Sequence, residues 1–423
     1  MIQQKGNFKD VIVFGFALFA MFFGAGNLIF PPYLGIITGP EWLTAFGGFT
    51  FADAGLALLA VMATAKYDGD VIALFRRAGG KLAIVLGCAD ILCIGPFLAI
   101  PRTGATTYEM GIMPLLGDAI PIAVFAAIFF ILTYILTIKP SKVVDIVGQF
   151  LTPALLIALA ILIVKGVISP LGEIRPDTLV PSVFAEGVNQ GYQTMDTLAA
   201  TVFSTIVIVS IMEKGYDDEK LMVKATIGAG AIAVIGMGLV YGGLCYVGAT
   251  VSTQYGIDVE QTALIVAITE ALLGQTGKIL LAIIVALACL TTSIGLTSAA
   301  GRYFSGLTNG KLKYEHIVVG VCVFSAVISN FGVSTIIKFS APILSIVYPA
   351  TITLIILSLF GHKIKNDNVF KCATYMALVI SVLTIAGVEF IVTLPGYQFG
   401  FNWILPVAAA AIIGNFIPSK KAA

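Results

Sequence analysis

Apolar runs of about 20 residues or more, separated by short polar connections, recur from one end of the chain to the other. That length is what a helix needs to cross the hydrocarbon core of a bilayer. Inside that core the backbone finds no partner but itself, so each run must fold as a helix. The charge content assigns the runs to lipid rather than to a soluble core. Only 11% of the 423 residues are charged and 58% are hydrophobic, whereas soluble domains carry about 25% charged residues. An all-α integral membrane protein is therefore expected. A net charge of +1 offers no surface for nucleic acid, and no protein partner is indicated. The N-terminal MIQQKGNFKD has no short apolar core followed by a small-residue cleavage site, so no cleaved leader is expected.

Twelve spans can be drawn, at roughly 10–36, 41–63, 82–107, 119–138, 144–164, 186–212, 223–250, 279–304, 316–334, 338–360, 369–393 and 401–417. The basic residues test the count. With both termini cytoplasmic, 19 of the 24 Lys and Arg fall in cytoplasmic stretches, from Lys5 and Lys9 through Lys139 and Lys142 to Lys420 and Lys421. Only Lys165, Arg175, Lys278 and Lys338 lie on the other side, and Arg102 lies within a span. That bias follows the positive-inside rule, and a missed helix would invert it downstream. On the outer side, 165–185 and 251–278 are the longer connections, and VEQTALIVAITEALLG in the second is expected to form a helical lid. All six cysteines sit in or at the edge of spans as small apolar residues, and His316 and His362 lie at membrane edges. No His-based metal or nucleophile site is available in the core, which argues against an enzyme.

The first span carries FFGAGNLIFPPYLG at 22–35. Glycine costs about 1 kcal/mol relative to alanine inside a helix, so Phe23-Gly-Ala-Gly-Asn27 weakens this helix near mid-membrane. Pro31 and Pro32 suit the first turns of a restarted helix, where their missing N–H groups would be unbonded anyway. The expectation is a broken helix with free backbone groups at Gly24 to Asn27. Such backbone is tolerated at that depth only where it lines a cavity or is buried in protein. Close helix packing through the glycines is the competing reading.

A second interruption lies in the sixth span, EGVNQGYQTMDTLAATVF at 186–203, where Gly191, Tyr192, Gln193, Thr194 and Asp196 cluster. A carboxylate there costs about 3 kcal/mol on insertion scales and needs a cavity or a partner. Spans one and six open two successive sets of five, and five is odd, so the second set enters the membrane inverted. Broken helices in corresponding positions of inverted repeats flank the midplane site of a transporter. The repeats would cover 1–166 and 186–362, with 167–185 connecting them. Residues 363–423 would supply two further helices, to which no role attaches. The eighth span gathers Thr291, Thr292, Ser293, Thr297 and Ser298, hydroxyls that suit a hard monovalent cation; bonding back to their own helix carbonyls is the competing reading, favoured for the cluster taken alone. In the third, Arg102 either meets a substrate carboxylate or is neutralised by Asp90 or Glu109; the second is favoured. Asp53 in the second span reads as helix–helix glue.

FGAGNLIFPP at 23–32, GPFLAIPRT at 95–103 and NQGYQTMDTLAA at 189–200 together resemble signature segments of the branched-chain amino acid:cation symporters, the LIVCS or BrnQ-type carriers. The resemblance spans essentially the whole chain. It implies sodium-coupled uptake of leucine, isoleucine and valine through a bacterial inner membrane. More distantly the pattern is similar to the LeuT-like five-plus-five fold, with Gly26 and Asn27 at the first break and Leu290-Thr-Thr-Ser-Ile294 on the eighth helix. That likeness implies one sodium site from the carbonyls of Ala20 and Phe23 with the hydroxyls of Thr291 and Thr292, Ser293 beside them. A second would involve Asn27 and Thr194. Asp196 departs from the distant fold, where a neutral residue is expected.

On that reading the substrate carboxylate meets the N–H groups of Ala25 and Gly26 at a helix N-terminus. Its ammonium meets carbonyls near Tyr192 and Gln193, with Asp196. Its tail sits among Phe97, Phe203 and Ile294. A carrier of the same fold for another amino acid, or one coupled to protons through Asp196 or Glu109, is the alternative; a channel is the more distant one.

Overall fold

The computed structural model of the protein describes residues 8–67, 69–138, 142–216 and 218–418. Lys5, Lys139, Lys420 and Lys421, on which part of the expected orientation rests, lie outside them. The described chain is helical. It begins with α1 (Phe8–Phe22), α2 (Ala25–Thr38), α3 (Trp42–Thr50), α4 (Leu56–Ala65) and α5 (Val71–Arg76). Next come α6 (Gly80–Leu92), α7 (Ala99–Thr107), α8 (Met113–Leu116), α9 (Ile122–Ile138) and α10 (Lys142–Ile168). The second half comprises α11 (Val183–Thr194), α12 (Asp196–Glu213), α13 (Glu219–Ala249), α14 (Gln261–Leu307) and α15 (Tyr314–Ser329). It ends with α16 (Val333–Leu359), α17 (Asp367–Ile385), α18 (Glu389–Val392) and α19 (Ile404–Phe416). Among the described residues, seven helical stretches are long and apolar enough to cross a membrane, and four shorter apolar helices accompany them.

The apolar runs became helices, but several are interrupted. The first break falls at Phe23 and Gly24, and the second at Met195, whose φ of 68° is left-handed. Contrary to expectation, Pro31 and Pro32 do not restart α2; they lie inside it, buried. The restart is made by Asn27 instead, whose side-chain oxygen accepts the Gly24 N–H at 3.0 Å. Gly191 also departs from its expected role. It sits within α11, where a Cβ would lie 2.9 Å from both the Phe49 carbonyl oxygen and the Ala52 Cβ, so it is a packing residue for α3. Two further spans contain π-helical turns, the second at 51–55 and the third at 93–97, where Gly95 kinks the chain, and at 108–112. Each adds a residue to a turn and re-aims the helix beyond it, a feature frequent at functional sites. Gly274 at φ 68° divides α14, and the piece before it is the helix expected over the 251–278 connection.

Packing is reciprocal. The broken pair α1–α2 lies against α13, which comes after the second break; the broken pair α11–α12 lies against α3 and α4, which come after the first. Two inverted repeats produce this arrangement. Gly35 and Gly248 bring α2 and α13 into backbone contact: a Cβ on Gly248 would lie 2.7 Å from the Pro32 Cα. Helices approach this closely through small residues where lipid removes the hydrophobic drive to associate. Large apolar side chains accordingly point outward, among them Val13, Ile131, Ile161 and Leu239, each more than half exposed.

Candidate functional site

The two breaks face each other. Because Gly24 gives its N–H to Asn27, the Ala20 carbonyl loses the donor that a continuous helix would supply. The first N–H groups of α2, at Ala25 and Gly26, have no partner within their own helix. The Asn27 amide nitrogen donates to Asp196 Oδ2 at 2.7 Å and to the Tyr241 hydroxyl. One side chain thus caps α2, ties the first break to the second, and reaches α13. On the second break, the Thr194 hydroxyl lies 2.8 Å from Asp53 Oδ1 and 2.7 Å from the Gly191 carbonyl. Asp53 projects from the first π-turn, fully buried, and its Oδ2 accepts no hydrogen bond. Asp196, also buried, is the second carboxyl group at the breaks.

Arg102 is not neutralised by Asp90 or Glu109, contrary to expectation. Asp90 accepts from Thr351 at 3.0 Å, and Glu109 accepts from Thr262 at 2.7 Å and from the Val333 N–H at 2.8 Å. The guanidinium instead donates to the Gln193 carbonyl at 2.6 Å and the Thr194 carbonyl at 3.3 Å. A cation at the last carbonyls of α11 suits the helix dipole. It also occupies the carbonyls expected to receive a substrate ammonium. Its other face lies over the Phe30 ring at 5.4 Å, and a Cβ on Gly26 would lie 3.0 Å from Nη2. Arg102 therefore stands beside the open N-terminus of α2.

Between the breaks is a cavity of about 30 Å³. Its polar wall is formed by Gly24, Gly26, Asn27, Arg102, Asp196 and Thr292, with Ala25 and Thr194 beside them. Its apolar wall is formed by Met21, Phe22, Ile94, Ala199, Phe203 and Leu296. A space of that size holds about two waters, so the walls must part to admit anything larger.

Other expected residues lie elsewhere. Phe97 is 45% exposed, its ring 5.4 Å from Phe324. It follows Gly95, where the chain leaves helical geometry, and lies outside the cavity. On α14, Thr292 and Leu296 line the cavity, one helical turn apart. Ile294 lies about 200° round the helix from Thr292 and faces away. Ser293 lies 3.4 Å from Thr133 of α9, and the Thr291 hydroxyl donates to its own helix at Leu287 and Ala288. Tyr192 stacks on Tyr348 with ring centroids 4.2 Å apart, outside the cavity, and the Gln193 side chain accepts from Ser340 at 2.6 Å. Ala20 and Phe23 remain at the first break. Sequence reasoning missed Tyr241 entirely, since nothing distinguishes it from the other 13 tyrosines. It undervalued Asp53, whose signal was a carboxylate at mid-span.

Solved structures define the class. The chain superposes on the inward-facing conformation of Mhp1 with a TM-score of 0.64 at 14% identity, covering 96% of this chain and 89% of that one. It superposes on MhsT in complex with L-phenylalanine with a TM-score of 0.60 at 16% identity, covering 95% and 97%. The protein thus has the LeuT-like fold of these transporters. Residues 7–421 match the family model described as branched-chain amino acid transport protein. The branched-chain amino acid permease BraB of Bacillus subtilis is 38% identical, over 98% of this chain and 97% of that relative. The permease BrnQ of Escherichia coli K12 is 33% identical, over 96% and 94%. The chain belongs to this family of branched-chain amino acid transport proteins.

Proposed function

We propose that the protein takes up leucine, isoleucine and valine by sodium symport with alternating access across a bacterial cytoplasmic membrane, its termini inside. The observation that carries this reading is the meeting of the two helix breaks around one small cavity, polar on one wall and apolar on the other. A branched-chain amino acid has the matching halves, and burying its zwitterion unpaired would cost several kcal/mol per charge. The carboxylate goes to the N–H groups of Ala25 and Gly26, with Arg102 beside them. The ammonium goes to Asp196 and to the carbonyls ending α1, since Arg102 holds those ending α11. The aliphatic tail goes toward Ala199, Phe203 and Leu296.

One sodium ion would go among Thr292 and the carbonyls of Ala20 and Phe23; the Gly24 N–H that would bond the Ala20 carbonyl in a continuous helix is given to Asn27. For the second, Asn27 has both amide hydrogens and its oxygen engaged. The better set is Thr194 with the unpartnered oxygen of Asp53. Sodium and substrate draw on the same opened backbone, so each lowers the ordering cost of the other. Each translocated charge adds about 2.3 kcal/mol of drive per 100 mV.

The test is leucine uptake by purified protein in liposomes. It should require an inward sodium gradient and collapse in Asn27→Ala and Thr292→Ala. Uptake driven equally by a proton gradient without sodium would sink the sodium assignment, and a competition panel of other amino acids checks the substrate class.

A further inference from the structure

A second, far larger cavity lies at the end of the bundle where α2 finishes, which is the outer face on the orientation proposed above. Leu179, just ahead of α11, donates its N–H to the Ile37 carbonyl at 2.8 Å, which places the start of α11 at that end. The cavity measures about 760 Å³, is open on one side, and is lined by one face of α11, the middle of α16, the end of α17 and the 397–403 segment leading into α19. This is within the roughly 300–1,000 Å³ of small-molecule sites. Three buried side-chain donors on its wall have no hydrogen-bond partner: the Tyr192 hydroxyl, the Ser381 hydroxyl and the Trp403 indole N–H. Indole nitrogen can only donate, so the wall is matched to an acceptor. Asn402 gives its amide nitrogen to Thr384 at 2.8 Å and keeps its oxygen. None of the described lining residues carries a formal charge, so a ligand of net charge would enter uncompensated. Pro181, Ala185, Pro349, Ile385 and Phe399 supply apolar wall.

We propose that this cavity is a second binding site for a neutral, zwitterionic amino acid, its carboxylate held on Tyr192, Ser381 and Trp403 and its ammonium on Asn402. The inference rests on the uptake reading for the identity of the ligand. Tyr192, stacked on Tyr348, forms the partition: it faces this cavity, while Thr194 and Met195, two and three residues on, face the central one. An amino acid held here stands in line with the central site. Beyond the two repeats, α17 and the segment leading into α19 thereby gain a function as its wall.

Trp403 reports on the site directly, because the chain has two tryptophans and the other, Trp42, packs against Tyr246, apart from the cavity. In Trp42→Phe protein, or Trp42→Tyr should the first fold poorly, leucine should change Trp403 emission saturably while glutamate and lysine do not. Ser381→Ala should weaken the midpoint roughly tenfold, the value of one hydrogen bond to a charged group at the lower end of its range. The response should persist in Ala199→Phe and in Ala99→Leu, two lining residues of the central cavity whose enlargement fills it and abolishes uptake. A protein that takes up leucine but shows no Trp403 response overturns the proposal, leaving water as the occupant. A response lost in both central variants, or given equally to glutamate and lysine, overturns it too. Response without uptake in the Trp42 variant upholds the site and sinks the uptake reading; absence of both sinks the two together.

Discussion

Arg102 is the side chain on which the geometry of the second break depends most directly, and its replacement has a calculable cost. Its guanidinium makes two charge-assisted bonds to the carbonyls that end α11, at 2.6 and 3.3 Å, and lies over Phe30. Hydrogen bonds to charged groups contribute about 1.5–3 kcal/mol each; the longer bond belongs at the bottom of that range. In Arg102→Lys a single ammonium reaches one carbonyl and leaves the other buried without a donor, a loss of about 2 kcal/mol. Arg102→Met leaves both carbonyls bare, about 4 kcal/mol on the same scale. At about 1.4 kcal/mol per tenfold, leucine uptake should fall by roughly 30-fold in the first variant and roughly 1,000-fold in the second. The assay is the initial rate of sodium-driven leucine uptake in proteoliposomes, normalised to inserted protein. Thermal melting of the same samples separates loss of the site from loss of the fold. The reasoning fails if Arg102→Met transports within a few-fold of the parent, or if the two variants are equally impaired.

Other substitutions probe the rest. Gly191→Val should destabilise the protein by about 1–3 kcal/mol, read as a lower melting temperature, because its Cβ would strike the Phe49 carbonyl and prise α11 from α3. Phe97→Ala should leave the KM for leucine within about twofold and stability within about 0.5 kcal/mol, since the ring faces out of the cavity; a large rise in KM would restore it to the site. Arg77 is bonded to Asp367 at 2.7 Å and to the Gly361 and Ile364 carbonyls, with its guanidinium 3.9 Å above Phe370. Arg77→Ala should cost about 2 kcal/mol and raise protease sensitivity in the segment between α16 and α17.

The membrane class, the helical content and the approximate positions of both breaks were legible in the residues alone. They are local matters. An apolar run without charges must be a helix in lipid, and glycine, asparagine and aspartate within such a run announce that its backbone turns elsewhere for partners. The likeness of three short segments to a known family was equally legible. What bonds to what was not. Composition offered Arg102 two carboxylates, and the tertiary structure gave it two carbonyls instead, because Asp90 and Glu109 are taken by Thr351 and Thr262. Which of neighbouring residues face the cavity was also out of reach. The kink at Gly95, inside the 93–97 turn, breaks the helical phase that residue spacing assumes, and Phe97 falls on the outside. On α14 it is the helix's orientation against its neighbours that admits Thr292 and Leu296 and excludes Ser293 and Ile294. Tyr241 and Asp53 join the breaks only because α13 and α4 pack reciprocally on them. A helix's own sequence fixes its period, but the partner it packs against decides which face is turned inward.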